Sequence, residues 1–358
     1  MKIITTVGTS LVTNLLYKDS DIKDLFDILK QQDYSKRKEF QNEYDKLLSL
    51  LKQQNFDEKT SAEMKSIINI QKSDNFNFLD IELIATDTLL SPICSEAIKF
   101  ILENNMENIK VNFNEKNIIK DLQVSNFKRY KKGLINLINR LNDFTYDGQY
   151  TKDLLLNITG GFKGVIPYMT LYGQINNIPL FYIFEFTNSL IEIPQLPITL
   201  NETIFDKYWQ EFYKISQDMV EKDKLSKQFI QDAQNLIEVE DGYVYINALG
   251  KILWDNYQKN HFFFYTTDET YQEIKKQKNI LSILSSKFKD IVESKTETKG
   301  SHKVYDDGNN PNRIFYFKEN SDFYIYKTFQ NHSIYEKYIN QNSINKEDFI
   351  NRSKLFKI

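Results

Sequence analysis

Short apolar runs alternate with longer amphipathic stretches through residues 1–200. Met1–Val7 (MKIITTV), residues 81–86 (IELIAT), 153–159 (DLLLNIT) and 179–185 (PLFYIFE) are continuous β-branched or leucine-rich runs too short for helices. Between them, residues 20–72 carry charged, helically spaced positions that include SAEMKSIINI, and residues 87–105 (DTLLSPICSEAIKFILENN) read as helix from about Ser91. Residues 130–144 (YKKGLINLINRLNDF) form an amphipathic helix, and GGFKGVIPYMTLYGQINN supplies another. VNFNEK and DLQVSN read as short strands, and LIEIPQLPI (190–198) closes the region. Strands apolar throughout, alternating with helices, predict a mostly parallel sheet covered on both faces: a Rossmann-like α/β domain over residues 1–200.

Pro194 and Pro197 mark the end of that domain. The next segment, 201–258, begins as helix and continues as IEVEDGYVYINALGKILWDNY, a hairpin turning at Asp241–Gly242 followed by a helix. That pattern predicts a small winged-helix-like connector. Residues 259–358 hold FFFYTT, a helix around 268–293, a meander of KVYDD, RIFYFKEN and DFYIYKTF, and a last helix at NKEDFINRSKL, together a C-terminal α+β module.

Charge and composition narrow the class. The chain has 41% hydrophobic residues with 26 Phe and 22 Tyr, enough for separate cores. Lone Cys94 excludes an intramolecular disulfide and fits a reducing compartment. No apolar run suits a signal peptide or a membrane span, so the expected location is cytoplasmic and no membrane partner is expected. The net charge of −3 is unevenly spread: residues 259–358 hold 17 Lys+Arg against 13 Asp+Glu and all three histidines. A basic, histidine-containing terminal module suits contact with RNA.

In open α/β sheets, ligands sit beyond the carboxyl ends of the strands. Two glycine-bearing loops fall there: Gly8, Thr9 and Ser10 after the first strand, and Thr159, Gly160, Gly161, Phe162 and Lys163 after the third. Glycines let backbone N–H groups approach a phosphate, and Lys163 adds a cation. The spacing matches neither GxGxxG nor GxxxxGK[ST], so dinucleotide and NTPase chemistry are not indicated. VGTSLVTNL, SAEMKSI, IELIATDTLLSPICSEAI, NITGGFKGVIPYM and FYIFEFTNSLIEIPQLPI, in this order, resemble the CRISPR-associated Rossmann fold (CARF) sensor domains of type III CRISPR ancillary proteins. The resemblance implies a homodimer binding a cyclic oligoadenylate of four or six adenylates, cyclic tetra-adenylate being the first expectation, as allosteric activator and no other cofactor. It puts Gly8, Thr9, Ser10, Thr159, Gly160, Gly161 and Lys163 at the ligand, and Thr86 and Asp87 of a TDT segment at the pocket rim. A symmetric polyanion suits a two-fold dimer that presents matched loops.

Sensors of this kind are fused to different effectors. HEPN ribonucleases need Arg with His four to six residues on, and none of Arg37, Arg129, Arg140, Arg313 and Arg352 has it. A PD-(D/E)xK nuclease needs an acid-x-Lys strand; Glu293-Ser-Lys295 and Glu297-Thr-Lys299 have the spacing, with Asp290 upstream, but read as lying on or just after a helix. The run from Glu293 to Ile339 instead resembles RelE/YoeB-type ribosome-associated mRNA endonucleases, with RIFY (313–316) as the arginine strand. That resemblance implies metal-independent cleavage of mRNA in the ribosomal A site. It casts Arg313 as the phosphate-stabilising cation, His332 as acid or base, Tyr335 as a stacking or proton-donating group, and Glu297 or Glu293 as base. Lys299, His302 and Lys303 would hold the RNA backbone. The chain departs from those toxins in lacking a terminal-cluster arginine. Cleavage without a metal needs a base, an acid and a phosphorane-stabilising cation, which this set supplies. The expectation is a CRISPR defence ribonuclease. A metal-dependent nuclease with the same sensor, and a non-enzymatic, ligand-responsive DNA-binding regulator, are the alternatives.

Overall fold

The computed structural model describes the chain except residues 55, 58, 75, 124, 146–150, 185–188, 289–291, 307, 309, 310, 321 and 342. It divides into two compact units, Met1–Trp254 and Asp255–Ile358.

In the first unit, β1 (Lys2–Val7), β2 (Leu79–Thr86), β3 (Ile109–Asn112), β4 (Ile118–Ile119), β5 (Leu154–Asn157), β6 (Leu180–Ile183) and β7 (Leu190–Ile193) make one sheet. Its order is β3-β2-β1-β5-β6-β7, with β4 beside the end of β2. All pairs are parallel except β6–β7. β1 lies centrally with its last five residues buried, as its unbroken apolar run requires. One sheet face is covered by α2 (Ser20–Leu29), α3 (Gln41–Lys52), α4 (Ala62–Asp74) and α5 (Leu90–Asn105), which follow α1 (Ser10–Thr13). The other packs against α6 (Phe127–Thr145) and α7 (Ile166–Ile175). The chain passes from β1 to β2 on one side and returns to β5 on the other, so the topological switch point lies between β1 and β5.

The expected strand in DLQVSN is absent from described residues 121–123; the short strand is β4, just before it. β6 ends at Ile183, and Glu185 with the FTN of 186–188 falls outside the described residues.

Residues 201–254 fold as part of this first unit. α8 (Thr203–Gln217), β8 (Val220–Glu221), α9 (Lys227–Asp232), β9 (Ile237–Glu240), β10 (Tyr243–Ile246) and α10 (Ala248–Asn260) follow in order, with the strands arranged β8-β10-β9. The hairpin turn sits at Asp241 (φ 51°) and Gly242 (φ 84°), two successive left-handed residues that match the twist of a tight hairpin. Phe205, Phe212, Phe229 and Trp254 pack as its aromatic core.

The second unit is a six-stranded sheet made by β11 (Phe263–Thr266), β12 (Thr296–Lys299), β13 (His302–Asp306), β14 (Arg313–Glu319), β15 (Asp322–Phe329) and β16 (Lys354–Lys357). The order is β12-β13-β14-β15-β11-β16, antiparallel except for β11–β15. α11 (Asp268–Lys276) and α12 (Lys278–Ser286) cover one face. α13 (His332–Gln341) and α14 (Lys346–Arg352) cover the other. The helix expected around 268–293 is thus two helices parted at Gln277, a non-helical residue (φ −107°, ψ 84°). The chain's last residues form an edge strand the pattern did not reveal. Among the described residues no helix is long and apolar enough to cross a membrane.

Candidate functional site

The loops after β1 and β5 do meet at the switch point, and an acidic side chain holds them together. Ser61 caps α4 by accepting the Glu63 and Met64 N–H groups. This turns the Glu63 carboxylate inward, where it is 1% exposed. One carboxylate oxygen accepts the N–H of Gly8 at 2.9 Å and of Gly161 at 3.1 Å. The other accepts the hydroxyls of Ser61 (2.6 Å) and Ser10. Two of the N–H groups expected to cradle a ligand phosphate, those of Gly8 and Gly161, are therefore engaged by the protein's own carboxylate. Below this, Asn157 donates to Thr5 Oγ1 (3.0 Å) and Ser66 Oγ (2.6 Å), and Ser66 donates to the Glu63 carbonyl (2.9 Å). Each of these side chains has a hydrogen-bond partner, as low dielectric demands.

Two glycines are obligatory here. A Cβ on Gly160 would lie 2.4 Å from Glu63 Cγ, and Gly161 has φ +89° with Thr6 Oγ1 2.3 Å from where a Cβ would be. Thr6 in turn donates to the Gly160 carbonyl at 2.9 Å. Thr159 is half-buried and accepts the Ile183 N–H at 3.0 Å. Thr9 precedes α1 as its N-cap residue, without a side-chain capping bond. Lys163 is exposed, in the turn leading to α7. Gly8, Ser10, Gly160 and Gly161 thus converge, with Thr9, Thr159 and Lys163 on the same two loops.

The TDT segment has a different employment from the rim position expected. Thr86 Oγ1 lies 3.1 Å from Thr88 Oγ1. Asp87 is buried and accepts the Asp121 N–H and an Arg129 Nη2 proton, both at 2.8 Å. The same guanidinium reaches Asp121 at 2.7 Å and Asp33 at 2.5 Å. Burial and the two neighbouring aspartates hold the Asp87 carboxyl above its ordinary range, against the pull of the Asp121 N–H and Arg129. Burial also opposes ionisation of Asp33, but its Ser35 and Arg129 hydrogen bonds outweigh that and keep it below. Sequence reading missed Glu63 and Arg129. Ser61-Ala-Glu63 carried a visible cap-and-acid signal for a helix start, whereas nothing local announces that Asp121 and two distant aspartates gather around one arginine.

In the second unit the structure brings five of the eight expected residues into one cluster. Arg313 begins β14, 5% exposed, with Nη2 3.0 Å from Asp306 of the facing β13 position. Asp306 also binds Lys299 Nζ (3.1 Å), which sits 3.0 Å from Glu297 and 3.3 Å from the Tyr335 hydroxyl. The Tyr335 ring lies over both cations, 5.3 Å from Lys299 Nζ and 5.2 Å from the Arg313 guanidinium carbon. His332, one turn earlier on α13, meets the Tyr335 ring edge-on at 4.8 Å, and its Nε2 is 3.1 Å from Glu336. Burial disfavours the Lys299 ammonium, yet its bonds to Glu297, Asp306 and Tyr335 prevail and raise its pKa. Lys299 is a fixed cation, not a base.

The other three residues stand apart, Glu293 pairing with Lys318 at 2.7 Å. His302 is buried, hydrogen-bonded to the Tyr326 hydroxyl at 2.8 Å and packed against Phe315 and Tyr338. Lys303 is exposed and points to the opposite sheet face, because strand alternation puts it with Tyr305. Asp306, the residue that joins the two cations, was missed. Glu297 and Lys299 lie on strand β12, not on a helix, whereas Glu293 and Lys295 lie in a 3₁₀ turn. Asp290 is outside the described residues. Among the described residues, no group of three or more His, Cys, Asp or Glu side chains is arranged to hold a metal ion.

Residues 58–196 match the family model of a CRISPR-associated protein (Cas_APE2256). The match ties this part of the chain to CRISPR-associated proteins. It spans Glu63, the TDT segment and the TGGFK loop, and leaves out Gly8–Ser10 and the whole second unit. No curated protein matches the chain.

Proposed function

We propose that this chain is a cyclic oligoadenylate-activated endoribonuclease of CRISPR defence that cuts mRNA in the ribosomal A site. The activator binds, in a homodimer, at the loops flanking the β1–β5 switch point, where Lys163, Thr9 and Thr159 stand beside the Glu63-bound glycines. The match of residues 58–196 to a CRISPR-associated family supports that half of the reading. The observation that carries the effector half is the convergence of Lys299, Arg313, Tyr335, His332 and Glu297 on one sheet face.

In this arrangement His332, with 60% of its side chain exposed, is open to RNA and takes the role of acid or base. Lys299 is the cation nearest the surface, and Glu297 the carboxylate beside it. Arg313 lies beneath the Tyr335 ring, so a phosphate reaches its guanidinium only when α13 shifts. Activation is then a shift toward a conformation in which Arg313 is uncovered. The placement of Glu297 and Lys299 on a strand beside Asp306 is the one observation favouring a metal-dependent nuclease instead.

Translating ribosomes incubated with the protein and cyclic tetra-adenylate test both. The expected result is ring-dependent mRNA cleavage that persists in chelator and falls by about 10²-fold in Arg313→Lys, which keeps the charge but loses the planar clamp. Intact mRNA with the wild type sinks the ribonuclease reading, and chelator-sensitive cutting of naked nucleic acid establishes the second.

A further inference from the structure

Four consecutive residues at the start of α6 reach three different parts of the first unit. Lys128 Nζ lies 2.7 Å from Glu240 and 3.6 Å from Asp241, the end of β9 and its turn. Lys131 Nζ lies 2.7 Å from Glu238, also on β9. Arg129 clamps Asp33, Asp87 and Asp121, joining the segments after α2, β2 and β4. Tyr130 donates its hydroxyl proton to the Gly164 carbonyl at 2.8 Å, and its ring meets Phe162 edge-on at 5.6 Å. Successive helical residues point about 100° apart, which is how one turn addresses all three.

The helix is also seated so that it must move with its neighbours. Gly133 lies so close to the chain after β4 that a Cβ there would stand 2.4 Å from the Leu122 Cα. A displacement of the TGGFK loop therefore has a direct mechanical route through Tyr130 into α6, and from α6 through two lysines to the β9–β10 hairpin. Lysine–carboxylate pairs near the surface add little stability. Their value here is geometric: they tie the hairpin to a helix whose other side chains hold the loops.

We propose that the first turn of α6 is the coupling element between the switch-point loops and the β9–β10 hairpin. This rests on reading those loops as the activator site, and it names how that site is heard elsewhere in the unit. A ligand that draws on the TGGFK loop biases the turn, and the turn biases the hairpin; by linkage, the hairpin's state alters ligand affinity by the same factor.

Hydrogen exchange on the full-length protein, read at the β9–β10 amides with and without cyclic tetra-adenylate, makes the test. In the wild type the ring should change hairpin exchange severalfold. Tyr130→Phe and the double variant Lys128→Glu/Lys131→Glu should abolish that response, with calorimetric affinity kept within about tenfold. Adding Glu238→Lys and Glu240→Lys to the double variant should restore it. A response that persists in both variants, or ring binding without any hairpin change in the wild type, overturns the proposal. A ligand-free arm separates it from the activator reading. Tyr130→Phe alone, which removes one bond at the glycine loop, should speed hairpin exchange more than twofold. An unchanged hairpin there refutes the coupling whether or not the ring binds, whereas a faster hairpin beside a wild type that binds no ring leaves the coupling standing and ends the activator reading.

Discussion

At the scale of single residues, Glu63 is the most informative position in the chain. Four donors from three segments converge on one buried carboxylate, so its removal leaves backbone N–H groups of both glycine loops unpaired. Glu63→Gln keeps the volume but turns an amide N–H₂ toward donors. It should cost about 1–3 kcal/mol in urea denaturation of the full chain, and an unchanged midpoint would show that the network is dispensable. Asp232 gives a pH-dependent counterpart. Hydrogen bonds from Tyr208, then Lys207 and Gln228, lower its pKa from 3.8 to about 2. Because the folded value lies below the unfolded one, the stabilisation is present above pH 3.8 and is lost as pH falls through about 2. Melting temperatures across that window should therefore fall less steeply in Asp232→Asn than in the wild type; parallel curves would remove Asp232 from the acid limb. The candidate residues themselves were legible to unequal degrees. Gly160 and Gly161 announce a close approach on a strand–helix turn, but only the fold reveals that what approaches is Glu63 and Thr6. Likewise Arg313 and Tyr335 are distinctive residue types, while Asp306, which binds Arg313 across the β13–β14 pair, looks in sequence like any turn-flanking aspartate.

At the scale of elements, the strands and helices with strong patterning come out where the sequence puts them. β1, β2, β5 and β6 are apolar runs with no alternative burial, and α6 has an unbroken amphipathic stripe. The hairpin turn was legible because Asp-Gly favours two left-handed residues in succession. Edges were harder. β16 is a four-residue strand of mixed pattern, KLFK, that exists because β11 offers it an open edge. Its removal exposes the β11 backbone donors and acceptors and takes away the Phe356 ring stacked on Tyr271. A chain ending at Ser353 should thus melt earlier in the second unit and aggregate through β11; equal stability to the full chain would mean β16 only decorates the edge. The break at Gln277 was likewise invisible, since both flanking helices are amphipathic and no proline or glycine separates them.

At the scale of the whole molecule, two units with separate cores should unfold in two calorimetric transitions. Under the proposed activator, cyclic tetra-adenylate at about 100 times its Kd should stabilise the first unit by about 2.7 kcal/mol and raise only its transition. A ring that shifts neither transition, or shifts only that of the second unit, contradicts the assignment of the site to the first. The sequence by itself determined the alternation of buried strands and amphipathic helices, the two glycine loops and the aromatic meander, because these follow from short-range periodicity and backbone stereochemistry. The tertiary structure decided which anion the glycine loops hold, that Asp87 serves Arg129, that His302 is core and Lys303 faces away, and that Asp306 bridges two cations. Those facts depend on which distant residues share a small, poorly solvated volume, where every donor and charge must find a partner, and spacing along the chain does not carry that information.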